Sequence, residues 1–158
     1  MLLAYKKLLN HKEFKTWKDK HKDSYLSSCV LMNDPGQKEV WNFDFYIPKK
    51  NKITTFTVDE EIEVKEDQKI FEQKNKKLNE INLEKIKFNL NDVNKLIEKE
   101  FKHVKILKKI IILQSIETLL WNVSLLGMDF NLHNLRIDVE NGKILEKSST
   151  PMLQFKAS

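Results

Sequence analysis

The stretch WNFDFYIPKKNKITTFTV, residues 41–58, decides the fold class of this chain. In its first seven residues, Trp41, Phe43, Phe45 and Ile47 alternate with other side chains. This period of two is typical of a strand with one face in a core and one facing water. Residues 48–51 predict a turn, and the β-branched and aromatic residues after them predict a partner strand. The stretch therefore predicts an antiparallel sheet.

Strand chemistry also precedes this stretch, at residues 25–32, where an Asn-Asp-Pro-Gly turn signal follows. After it, the third strand either ends near Val58 or continues through Ile62 and Val64. Residues 59–77 are dense in charge, and Ile70 and Phe71 are their only adjacent apolar pair. We expect a solvated connector there that contacts the core once.

Two segments have helical spacing. In residues 1–24 the apolar side chains recur every three to five positions among lysines, which predicts one or two short amphipathic helices interrupted near Asn10. We expect this segment to form a lid on the sheet. A further helix is predicted from Asn91 to Lys102, capped by Asn89 or Asn91 and lying across the sheet.

The rest of the chain predicts a β-meander, with strands at residues 110–116, 120–126, 132–139 and 143–146. Asn141-Gly142 favours a two-residue type I′ turn between the last two strands. No internal repeat extends beyond one helix-hairpin unit. Residues 1–158 are therefore predicted to form a single α+β domain, an antiparallel β-sheet with packing helices.

The closing hairpin has a further pattern: an aliphatic residue, an aspartate, variable residues, a glycine and two aliphatics, here Ile137, Asp138, Gly142, Ile144 and Leu145. With the helix before it, residues 88–147 resemble a PepSY-like domain, and the whole arrangement looks like small archaeal proteins that carry such a C-terminal unit. The resemblance implies a cystatin-like packing of helix against curled sheet. It also implies a role in binding or restraining other proteins, peptidases included, and it transfers no active-site residue.

Many PepSY-like proteins are exported or lie beside membrane segments, and this chain departs from them. Its first residues, Met1 to Lys6, lack the basic start and the long apolar core of a signal peptide. No apolar run approaches the roughly 20 residues that cross a bilayer. We expect a cytoplasmic protein without a membrane partner, which puts a peptidase-inhibitor role in doubt.

No residue pattern predicts catalysis, a metal site or a cofactor, and we expect a protein that is not an enzyme. The four histidines, His11, His21, His103 and His133, lack zinc-site spacing, and the three glycines are accounted for by turns. The remaining candidates each have a structural interpretation. We expect Cys29 and the three tryptophans to lie in the core, the carboxylates of residues 59–67 to form a solvated edge, and Asp138 to order its turn; Ser27, Ser28 and Ser124 lack the glycines of a nucleophile elbow.

Three functions stay open, and the net charge bears on one of them. The net charge of +5 would suit nucleic acid, but Arg136 is the single arginine among 28 Lys and Arg residues, and base readout favours arginine. The leading hypothesis is a non-enzymatic protein-binding or scaffold module that uses a sheet edge or a groove beside a helix. The alternative is a basic RNA- or ribosome-associated factor, and a small-ligand carrier is a third hypothesis. The sequence leaves the oligomeric state open.

Overall fold

A single antiparallel sheet forms from the segments with strand chemistry. The computed structural model describes residues 1–34, 36–70 and 78–156, and these residues contain eight strands. The strands are β1 Tyr25–Asn33, β2 Trp41–Ile47, β3 Lys52–Val58, β4 Ile62–Lys69, β5 Ile106–Ser115, β6 Leu119–Gly127, β7 Asn131–Asp138 and β8 Ile144–Pro151. Their spatial order is β4-β3-β2-β1-β5-β6-β7-β8, and every neighbouring pair is antiparallel.

The helices are α1 Leu2–Asn10, α2 Lys12–Lys20 and α3 Leu90–Glu100, with short 3₁₀ helices at Leu83–Lys85 and Met152–Lys156. The α+β class and the packing helices predicted from the sequence are confirmed. The α3 helix begins one residue before the predicted start and ends at Glu100 instead of Lys102. Its Asn89 cap is confirmed, because the Asn89 side chain accepts the N–H groups of Asn91 and Asp92 while Asp92 accepts the N–H of Asn89.

The core lies between the helices and one face of the sheet. Leu8 of α1, Phe14 of α2 and Val93 of α3 share a buried cluster with alternate residues of the central strands. In the first half of the chain, aromatic rings form the contact between helix and sheet. The ring centroid of Phe14 lies 5.1 Å from the centroids of both Phe45 and Phe56. The strand patterns in the sequence also predict one shared core for five residues. All five lie in this cluster: Trp41, Phe43, Phe45, Val123 and Ile137.

The architecture repeats, although the sequence shows no extended repeat. Each half of the chain is a helical segment followed by a four-stranded meander, and the halves meet where β1 pairs with β5. Trp41 of β2 lies between Leu31 and Val58, as Trp121 of β6 lies between Leu113 and Ile137. The segments WNFDF and WNVSL therefore occupy matching places, but only the Trp-Asn pair is identical, too little to identify a repeat from sequence.

Two local predictions are corrected. Part of the predicted connector is strand β4, Ile62–Lys69, a separate edge strand in which Ile62 pairs with Val58. Its high charge is typical of an edge strand, because charged side chains discourage pairing with another chain. Ile70 lies within the described residues, whereas Phe71 to Lys77 lie outside them, as does Pro35 of the predicted first turn.

The closing hairpin is looser than the predicted type I′ turn. Five residues separate β7 from β8, and of the two predicted turn residues only Gly142 has a positive φ, 73°. Asp138 orders this turn as expected, because its carboxylate accepts the N–H groups of Glu140 and Asn141.

None of the helices in the described ranges combines the length and the apolar character of a membrane-spanning segment.

Phe43 provides a direct test of the core. Its side chain is fully buried, so replacing Phe43 with Ala should lower the free energy of unfolding by about 3–5 kcal/mol. Val30 is the matched control, because it lies on the neighbouring strand but is only half-buried on the other face, and Val30→Ala should cost less than about 1.5 kcal/mol. Guanidinium unfolding measures both. A loss below about 1 kcal/mol for Phe43→Ala would contradict the assigned face.

Cys29 should be chemically silent in the folded protein. Its side chain is fully buried in β1, and burial raises the pKa of the Cys29 thiol far above its ordinary value, so the reactive thiolate is suppressed. We expect a disulfide reagent such as dithionitrobenzoate to label Cys29 only after denaturation. Rapid labelling under native conditions would show that the core side of β1 is accessible to the reagent.

Candidate functional site

One face of the sheet carries no α-helix of the described residues, and we call it the open face. Along each strand its side chains alternate with those of the core, so they point away from the helices. The open face includes Ser28, Val30, Met32, Asn42, Asp44, Thr55, Thr57, Ile110, Ile112, Asn122, Ser124, Leu126, Leu132, Asn134, Arg136, Glu146 and Ser148.

The centre of the open face is apolar. Val30 of β1 pairs with Ile112 of β5, and Met32 pairs with Ile110. Val30, Ile110 and Ile112 are half-buried and Met32 is exposed. The two central strands therefore carry apolar side chains on both faces, although the described helices cover only one face.

The apolar centre continues into a cleft toward β6 and β7. The cleft has a volume of about 290 Å³ and is lined by Lys108, Ile110, Ser124, Leu126, Leu132 and Met152. Met152 begins the short helix after β8, which therefore borders the open face at this end. A cleft with this lining suits an aliphatic or aromatic group, and Lys108 places a positive charge at its edge.

A hydrogen-bonded group lies on β2 and β3, beside the apolar centre. The Asp44 carboxylate accepts the hydroxyls of Ser28 at 2.5 Å and Thr55 at 2.6 Å. One row away, the Thr57 hydroxyl donates to the side-chain oxygen of Asn42 at 2.6 Å. These polar groups satisfy one another, which reduces the free-energy cost of removing them from water.

A matching group lies on the other side of the centre, on β6 to β8. The Ser124 hydroxyl donates to Asn134 at 2.8 Å, and Arg136 forms an ion pair with Glu146 at 2.8 Å. Ser124 and Asp44 occupy equivalent places in the two halves of the sheet. The open face is thus an apolar centre between two polar borders that are paired within themselves.

Most of the candidate residues named from the sequence lie outside the open face. Trp17, Trp41 and Trp121 are buried, as expected, and the Trp121 indole N–H donates to the carbonyl of Phe88 at 2.8 Å. Of the three serines, Ser28 and Ser124 lie on the open face, and buried Ser27 donates to the backbone carbonyl of Asp44. None of these contacts was predicted, because in each the partner lies on a different segment of the chain.

The carboxylates of residues 59–67 behave as a charged edge. Lys38 forms ion pairs with Asp59 at 2.6 Å and Glu60 at 3.5 Å, and the Lys7 ammonium donates to the carbonyls of both residues. The hydrogen bond from Lys38 holds the pKa of Asp59 below its ordinary value. Across the described residues, no group of three or more His, Cys, Asp or Glu side chains is arranged to hold a metal ion.

The structure brings together Asp129, His133 and Ser149, which sequence reasoning did not connect. The buried His133 ring lies 2.7 Å from the Ser149 hydroxyl through Nδ1 and 3.0 Å from Asp129 through Nε2. Hydrogen bonds from Asn131 and then from His133 hold the pKa of Asp129 below its ordinary value, so the carboxylate stays charged. His133 thereby joins the β6–β7 turn to the edge strand β8, and its ring packs 5.0 Å from Phe101.

Comparisons with known proteins support the fold alone. No protein-family profile matches the chain, and no curated protein matches it. The fold is similar to a crystal structure from Clostridium difficile 630 described as a "putative lipoprotein", with a TM-score of 0.57 and 18% sequence identity over 87% of this chain and 90% of that one. At this identity the likeness identifies an α+β architecture. The PepSY-like resemblance stays a prediction.

The Asp44 group generates a test of the polar border. Replacing Asp44 with Ala leaves two part-buried hydroxyls without their acceptor, and we expect a loss of about 1–3 kcal/mol in the free energy of unfolding. Glu146→Ala is the control, because it removes a partner from a largely exposed ion pair and should cost less than about 1 kcal/mol. Urea unfolding measures both variants. Equal losses in the free energy of unfolding would contradict the expected difference between the Asp44 group and the Arg136–Glu146 pair.

Proposed function

We propose that this protein is a non-enzymatic protein-binding module and that the open face is its binding surface. The observation that carries the proposal is the composition of the two central strands. An antiparallel strand with one wet face normally alternates apolar and polar residues. Here residues 29–32 and 110–113 are apolar without a break, which suits strands that become covered on both faces.

The partner we infer is a folded protein that presents an apolar loop. The cleft of about 290 Å³ would receive one or two apolar side chains of that loop, and the centre formed by Val30, Ile110 and Ile112 would lie against its flanks. Such anchors in a desolvated pocket supply most of the affinity of protein interfaces. The paired polar borders would then form the rim, where hydrogen-bonding groups stay partly hydrated.

Charge supports a protein partner over RNA. Lysines occur in both halves of the chain, and several are engaged within the protein: Lys38 with Asp59, Lys50 with Asp67, and Lys147 with Glu100. Arg136, the single arginine, is paired with Glu146. An RNA-binding surface instead needs many free cations gathered on one face, because release of counterions supplies most of the affinity.

The similar structure adds no function to this argument, because its description as a "putative lipoprotein" concerns that protein alone. The PepSY-like resemblance points in the same direction as the open face, toward binding of other proteins. The proposal includes the absence of catalysis, the absence of a cofactor and a cytoplasmic location, as expected from the sequence.

Photo-crosslinking tests the proposal. A benzophenone amino acid at Ile112 should give a discrete protein adduct in native lysate, and nuclease treatment should leave it unchanged. The same probe at Thr16, exposed on α2, is the control and should give no such adduct. Introducing Ile110→Glu should abolish the Ile112 adduct, because a charge in the apolar centre opposes burial.

Circular dichroism establishes that the Ile110→Glu variant is folded. Adducts of equal yield from Ile112 and Thr16, or an adduct that survives Ile110→Glu, would contradict the proposal. An adduct with nucleic acid, lost on nuclease treatment, would favour the RNA alternative. Stabilisation by a small apolar molecule without any protein adduct would favour a ligand carrier.

A further inference from the structure

Five apolar side chains gather at one end of the sheet, outside the open face. This apolar rim consists of Leu107, Met128, Phe130, Met152 and Leu153, all exposed. Backbone hydrogen bonds join its segments. The N–H of Met128 donates to the carbonyl of Lys105 at 2.8 Å, and the N–H of Met152 donates to the carbonyl of Phe130 at 2.9 Å. The rim is therefore one surface drawn from β5, the β6–β7 turn and the helix after β8.

Phe130 is unfavourably placed for a protein that meets only water. Its side chain is 74% exposed, and its backbone has a φ of 57°, in the left-handed region. Asparagine or glycine adopts that region more readily, and either would avoid exposing a large apolar ring. Leu153, 77% exposed, adds a second apolar group to the same rim.

Positive charge borders the rim. Lys105 accepts the Met128 N–H through its carbonyl, and Lys108 lines the cleft with Met152. Both lysines are exposed, and within the described part of the chain neither forms an ion pair. The nearby carboxylates are engaged: Asp129 with Asn131 and His133, and Glu100 with Lys147. Exposed lysines around apolar groups match the two components of an anionic membrane surface, its phosphates and its acyl boundary.

We propose that the apolar rim is a membrane-docking edge, in which Phe130 and Leu153 enter the headgroup region of an anionic bilayer while Lys105 and Lys108 contact lipid phosphates. This surface differs from the open face and borders it at Met152 and Lys108, which also line the cleft. The proposal departs from the sequence expectation of no membrane partner. The rim was not visible in sequence because it combines residues from three separated segments.

Vesicle sedimentation tests the proposal with the full chain. Vesicles of phosphatidylcholine mixed with phosphatidylglycerol should bind the protein, and vesicles of phosphatidylcholine alone should bind it much more weakly. Phe130→Asn should weaken binding about tenfold, because the ring supplies inserted apolar area. The same variant should match or exceed the native thermal stability, since asparagine suits the left-handed backbone. Lys105→Gln should weaken binding about fivefold.

Two matched controls lie at the opposite end of the sheet. Leu145 is an exposed apolar residue at the start of β8, and Lys143 is an exposed lysine in the adjoining turn. Leu145→Asn and Lys143→Gln should leave vesicle binding unchanged. Failure of the native protein to bind anionic vesicles would overturn the proposal and favour a protein partner for the rim. Equal losses in the rim and control variants would also overturn it.

Discussion

The pairing of β1 with β5 is the interaction on which the rest of the structure depends. It joins residues about 80 positions apart in the chain, and it unites two four-stranded meanders into one sheet. Its core side, Cys29, Leu31, Ile111 and Leu113, is fully buried beneath the helices. Because a contact of such long range closes a large loop, its entropic cost must be offset by burial of both halves together. The same pairing brings the apolar groups of both strands together on the open face.

The pairing of β1 with β5 explains the composition of the open face. The outer strands carry hydrogen-bonded polar pairs toward solvent, such as Asp44 with Thr55 and Ser124 with Asn134. The two central strands instead carry aliphatic residues on both faces. The strip lies outside the described core, and we propose that a partner covers it. The polar borders limit the strip laterally and keep the remaining surface compatible with water.

The sequence predicted most elements but not their assembly. Alternation in residues 41–47 identified β2 and its core face, and the Asn89 cap identified α3, because these signals are local. Strand β4 was missed, since an edge strand draws stability from one neighbour and tolerates a charged sequence. The join of Asp129, His133 and Ser149 was missed because Ser149 lies on a different strand. The unbroken apolar runs at residues 29–32 and 110–113 were the available signal for the open face, but long-range pairing was needed to show that they lie side by side.

We propose that a partner covers the open face when the protein acts. Methyl NMR with the partner recovered by crosslinking at Ile112 tests this most directly, because Ile, Leu, Val and Met methyl groups report on both sides of the sheet. We expect large shift changes for Val30, Met32, Ile110 and Leu126, and little change for Leu8, Val93 and Ile97 in the core. Changes confined to the helices, with the central strip unaffected, would contradict the proposal.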